Sequence, residues 1–332
     1  MSSISAPSIL SFSRLSRIVT DIKARADITR TEATTGRRED ITAATNGDVG
    51  GAHLLKKAVD DVKAYKSLLT LGQNRAQRTQ SVLGGIVGGS VRLGTEALSA
   101  LGRGDQQALD AIAIDARSTI HGIFGTLNTV EAGRALFGGD VTDRPPLASA
   151  DLLLADIEAI MAGAVDAADA QAQIDFYFND PAGGFATSIY LGGANKAPPV
   201  EIAPGVRIDV SATAADQPIK DMISGLAALA THGSATFADA SVVIDAGAKS
   251  ALSADTSITI MRSAIGVGEA RISDAMSRYD AEEAVLTGLF NDRTARDQFE
   301  AASELKLLES QLEASYLLTS RLARLSLANF IR

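Results

Sequence analysis

The chain has 332 residues, of which 46% are hydrophobic and 21% charged, with a formal net charge of −9. It contains no Cys, no Trp and three His (His53, His121 and His232) far apart in sequence. This excludes disulfide scaffolds, thiolate metal sites and cysteine nucleophiles, and leaves little for a histidine metal centre, so no cofactor is expected. An acidic pI near 4.9 argues against general nucleic-acid binding, which needs a basic face.

In chain order, Ile9, Phe12, Leu15, Ile18 or Val19, Ile22 and Ala26 recur at i, i+3 and i+7, one stripe of a helix. The start lacks a basic segment followed by a long apolar core, so no Sec signal peptide is expected. Gly36, Asn46-Gly47, Gly50 and Gly51 break the next segment, and a long helix is predicted over 52–101, interrupted at Gly84-Gly85 and Gly88-Gly89. The glycines four apart predict a groove for another helix. Asp105 is placed to cap a second helix running from Gln106 to about Ala135.

Pro145 and Pro146 then force an extended stretch over 140–147. The middle reads as a small α+β unit. A helix is predicted over 150–162, strands over 187–191, 200–202 and 206–210, and a helix opened by Pro218 as far as Ala230. This region is also the acidic one. Residues 151–255 hold fourteen acids and four bases, a net of −10, which leaves the other 227 residues at +1.

From about Ala254 to the end the pattern is nearly unbroken helix, with a soft point at Asn291-Asp292. Leu305, Leu308, Leu312, Tyr316, Leu322 and Leu325 line one face of its last part, and Leu307, Ala314, Leu318 and Leu327 widen that face. Such a stripe exceeds the seam of a two-stranded coiled coil, so the helix needs apolar neighbours on more than one side. Assembly is the expected consequence.

Catalytic signatures are scarce, and no enzyme activity is expected. Gly247-Ala248-Lys249-Ser250 lacks the Gly-Lys adjacency and upstream spacing of a phosphate loop. Gly266-Val267-Gly268 lies in a helical run with no third glycine, and no HExxH or EF-hand spacing occurs.

Two stretches carry a resemblance. Leu127-Asn128, followed by Gly133-Arg134-Ala135-Leu136-Phe137-Gly138-Gly139-Asp140-Val141-Thr142-Asp143-Arg144-Pro145-Pro146, is similar to the "GRYLFGG…TDTPP" stretch of the bacterial flagellin superfamily. Glu309 to Tyr316, then Arg324-Leu325-Ser326-Leu327-Ala328-Asn329-Phe330, resembles that family's terminal "QLEASY…LSLxxFL" helix. Ala135 stands where the family has an aromatic. The chain resembles the hook-associated branch more than the filament subunits, because their terminal asparagine- and glutamine-rich pattern is absent.

The resemblance implies a mainly α fold. Both chain ends would form a long antiparallel helical bundle or coiled coil, with a small α+β domain inserted. Residues 1–45 with 293–332 would form a terminal layer, 46–145 with 254–292 a helical shaft, and 146–253 an outer insert. It implies a structural protein of the extracellular flagellum, a junction or adaptor between hook and filament, exported by the type III route. Ile9, Phe12, Leu15, Ile18, Ile22, Leu305, Leu308, Leu312, Tyr316, Leu322, Leu325, Leu327 and Phe330 would form the assembly interface. Implied partners are further copies in a ring or tube, the hook-side junction protein, flagellin and an export chaperone, with neither nucleic acid nor membrane. Filament flagellin, or a secreted helical protein with an active insert, are the alternative readings.

Overall fold

The structure is a computed structural model. It describes residues 9–39, 49–131 and 133–330, with side chains described at 13–39, 50–131 and 133–321. Asn46-Gly47 lies outside the described residues. The fold is mainly α, with long helices packed on one another.

Two compact units are formed, Met1–Ala64 with Tyr279–Arg332 and Tyr65–Arg278. The first holds α1 (Ile9–Thr35), the first part of α2 (Val49–Ile86), the last part of α8 (Ala240–Thr294) and α9 (Gln298–Phe330). The rest of α2 and α8 belongs to the second unit. So do α3 (Gly89–Arg103), α4 (Gln106–Leu127), α5 (Ala150–Gly163), α6 (Ala167–Asn179) and α7 (Gln217–Ala230). Two small antiparallel hairpins complete it, β1 (Val130–Glu131) with β2 (Arg134–Ala135), and β3 (Val200–Ala203) with β4 (Val206–Ile208).

Local chemistry explains most boundaries. The Asp105 side chain accepts the Ala108 N–H at 3.0 Å and starts α4, as the sequence predicts. Ser149 caps α5 and Asp166 caps α6 in the same way, while Pro218 occupies the first turn of α7. Gly104 closes α3 in the left-handed conformation at φ +67°. The predicted 52–101 helix divides at Gly88, whose φ of +95° no helix accepts and whose N–H donates to Asp255 Oδ1 at 3.2 Å.

Several expectations are corrected. Gly84 admits the Arg262 guanidinium of α8 rather than a helix backbone. The helix predicted as far as Ala135 stops at Leu127, because the Asn128 side chain is engaged by Leu147. The strand predicted over 187–191 is largely a π-helical turn, Phe185–Ile189. Phe185 and Ile189 are buried while Thr187 between them is exposed; a strand would put all three on one face, and a helical turn does not. Helix α6 was not foreseen, and α8 begins fourteen residues before Ala254.

The second unit is densely buried. Ile219, Met222, Ile223 and Leu226 of α7 are inaccessible, and α7 crosses α8 where Gly225 meets Gly247 and Ala251. A Cβ on Gly225 would sit 2.5 Å from the Gly247 carbonyl oxygen, so only glycine permits this approach. The β3–β4 hairpin lies against α2 and α8, with Val200 facing Gly72 and Val210, just after β4, facing Gly268.

Candidate functional site

The first candidate region is the pair formed by α1 and α9. Along α1 the buried or half-buried positions include Leu15, Val19, Ile22, Ala26, Thr29 and Ala33, with Glu32 buried beside them; along α9 they include Ala301, Leu305, Leu308, Leu312, Ser315 and Thr319. Both series alternate steps of four and three, the heptad period of a two-stranded seam. The helices run antiparallel from a backbone junction. There Arg296 N–H donates to Gly36 O at 3.0 Å, Arg38 N–H donates to Thr294 O at 2.8 Å, and Arg37 bridges Ala295. The Arg37 guanidinium also lies 5.2 Å from the Phe290 ring centroid.

Beside this junction Arg296 donates to both Glu32 and Glu304. The Arg296 and Glu32 side chains are only 12% and 5% exposed. Burial works against the Arg296 charge, but the bond to Glu304 and the field of Glu32 outweigh it and raise its pKa. Farther along, Arg25 reaches Glu304 and Arg30 reaches Glu309, at 3.4 and 3.3 Å. These pairs are largely solvent-facing and add little stability.

The residues expected at the interface divide into groups. Leu15, Ile22, Leu305 and Leu312 are half-buried and Leu308 is 2% exposed, all on the seam. Ile18 and Tyr316 stand off it, 51% and 55% exposed. Leu307, Leu317 and Leu318 also face outward, so α9 carries apolar side chains well beyond the face that α1 covers. Ile9, Phe12, Leu322, Leu325, Leu327 and Phe330 lie within the two helices, but their side chains fall outside the described residues.

The second region is the segment Gly133–Pro146, a clasp in the second unit. Asn128 ends α4 and grips Leu147 twice, donating from Nδ2 to its carbonyl at 3.0 Å and accepting its N–H on Oδ1 at 2.9 Å. Gly133, at φ +78°, turns the β1–β2 hairpin, where Arg134 is exposed. Leu136 and Phe137 are buried; the Leu136 carbonyl accepts from Arg75 and the Phe137 carbonyl from Ala214 N–H at 3.0 Å. Desolvation, then the nearby Arg134 charge, lowers the Arg75 pKa.

Gly138 accepts from Gly193 N–H, and Asp140 and Asn195 exchange two bonds of 2.9 Å. At Gly139, φ is +65° and a Cβ would strike the Asn195 carbonyl, so glycine is required twice over. Pro145 is exposed and Pro146 buried, the latter accepting from Leu191 N–H at 2.8 Å. The clasp thus ties the end of α4 to residues 189–195 and 214. Each of these bonds joins one part of the chain to another. Among the described residues, no group of three or more His, Asp or Glu is placed to hold a metal ion, and no helix is long and apolar enough to cross a membrane.

The sequence motif marked the clasp residues but not their partners. Asn195, Ala214 and Arg75 are distant in the chain and carry no signal of their own. No protein-family model matches the chain, and no curated protein matches it. Among solved structures it is similar to that of a candidate flagellar hook-associated protein from Vibrio parahaemolyticus, at 14% identity and a TM-score of 0.46, over 74% of this chain and 96% of that one.

Proposed function

We propose that this chain is a structural subunit of the bacterial flagellum, a junction protein between hook and filament that assembles through its terminal helices. The observation that carries the reading is the α1–α9 pair. Both chain ends meet in one antiparallel seam, while Leu307, Leu317 and Leu318 remain uncovered on the outer side of α9. Full burial of a leucine is worth about 1.5–3 kcal/mol, so a neighbour covering three of them gains a substantial driving force. The resemblance of the Gly133–Pro146 and Glu309–Phe330 stretches to the flagellin superfamily supports the same reading.

In this role the partners are further copies of the chain in a ring or tube, the hook-side junction protein on one side and flagellin on the other. An export chaperone would hold the terminal helices before assembly, and the working place would be outside the cell. Head-to-tail contacts of one surface with a different one close a ring or continue a tube.

The test is a chain lacking residues 298–330. Cells carrying it should build hooks without filaments, and isolated hooks should lack the truncated chain. Filament-bearing flagella in those cells would overturn the reading. Growth of the purified intact chain into long filaments by itself would decide for a filament subunit instead.

A further inference from the structure

A polar relay between α4 and α5 lies outside the surface used in that reading. His121 stands two turns before the end of α4. Its Nδ1 is 2.8 Å from the Arg117 carbonyl oxygen, and its Nε2 is 2.9 Å from Asp151 Oδ1 at the start of α5. Both neighbours are acceptors. A neutral imidazole has one N–H and one lone pair and can serve only one of them. Imidazolium donates to both.

Asp151 is itself part of the α5 cap. Its backbone N–H donates to the Ser149 hydroxyl at 3.1 Å, and that hydroxyl donates to Asp151 Oδ2 at 3.4 Å. The His121 proton is therefore connected to the first turn of α5. On either side α5 and its lead-in are held to α4 by other contacts, Asn128 to Leu147 and Arg117 to Glu158.

We propose that His121 is a pH-sensitive latch: as imidazolium it ties the first turn of α5 to α4, and on losing its proton it releases one acceptor and loosens that turn. The charged groups facing it are Asp151 and, one turn back, Arg117, whose guanidinium is engaged by Glu158. Elsewhere along α4, Arg92 of α3 pairs with Asp115, and His232, in the turn after α7, approaches Asp110 at 3.3 Å. Lys220 of α7 is turned away, donating to the Phe178 carbonyl and Asn179.

The bond to the Arg117 carbonyl, then the bond to Asp151, raise the His121 pKa above its ordinary value, against a smaller desolvation. A raised folded-state pKa fixes the sign. The latch is complete below the unfolded histidine value of 6.5 and is lost as pH climbs through the raised one.

An NMR titration of the intact chain, with ¹⁵N in the histidine rings and aspartate amides, tests this. His121 should carry protons on both ring nitrogens at pH 6 and titrate above the histidine midpoint of the urea-unfolded chain. Asp151→Asn should lower that midpoint, and in the wild type the Asp151 amide should follow the His121 curve. A midpoint at or below the unfolded value, or one that D151N leaves in place, overturns the ion pair. An Asp151 amide that ignores the titration overturns the latch.

Discussion

The two compact units bury apolar surface in different ways. In the first, the α1–α9 seam centres on small or polar side chains such as Ala26, Thr29 and Ala301, with Leu308 as a large buried one, while leucines on the same helix face outward. In the second, α7 is enclosed along most of its length, and glycines at 94, 225 and 247 bring helices within reach of one another's backbones. The second unit thus has a fully enclosed core helix, although Ile114, Val165 and Ile260 on its surface are exposed as well. The first has one covered seam and one bare face, and a largely buried ion-pair cluster (Arg296, Glu32, Glu304) sits at the end of its seam.

This contrast can be broken by substitution. Phe137→Ala should have the largest effect, destabilising the second unit by about 3–5 kcal/mol, because a fully buried aromatic leaves a cavity in a closely packed region. Urea unfolding followed within that unit reads the loss, and a change under about 1 kcal/mol would show the clasp to be more plastic than its packing indicates.

In the first unit Glu32→Gln should cost about 3 kcal/mol, since it strips a nearly buried arginine of a charged partner. The thermal transition of the terminal helices measures it. An unchanged transition would mean that Glu304 alone suffices for Arg296. The smallest effect on the isolated chain should come from Leu318→Ser, within about 0.5 kcal/mol, because that side chain already faces solvent. Under the proposed flagellar role, the same variant should nonetheless reduce incorporation into flagella. A stability loss in the free chain as large as that of Leu308→Ala, about 2–5 kcal/mol, would show that the outer face is already occupied within one molecule.

Much of the first unit was legible because its signal is local. Leu15, Ile22 and Ala26 repeat within one helix, as do Leu305, Leu308 and Leu312, and periodicity needs no knowledge of the partner. The ion pair of Glu32 with Arg296 was invisible, since 264 positions separate the two. In the second unit Asp105, Pro218 and the paired prolines announced their roles through chemistry confined to a few residues. Helix α6 did not, because Ala, Asp and Gln dominate its first half and only Ile174, Tyr177 and Phe178 supply large apolar contacts. The turn at Phe185–Ile189 looked like a strand because Thr187, Ile189 and Tyr190 favour one; burial of Phe185 and Ile189 overrode that preference within the turn, while Tyr190 and Leu191 keep extended pairing with Leu147 and Pro146. At the clasp the motif was readable as a motif, but the use of Asn128 depends on a backbone 19 residues away.

That separation also bears on how the chain folds. The entropy lost in closing a loop rises with the logarithm of its length, and short loops close on sub-microsecond timescales. The grip of Asn128 on Leu147 spans 19 residues, whereas the bond between Asn195 and Asp140 spans 55. The shorter closure can fix the end of α4 before α5 and α6 have found their places. What looks like a fastener in the finished molecule is thus also, on loop length alone, two closures of unequal entropic cost, the local one being the cheaper.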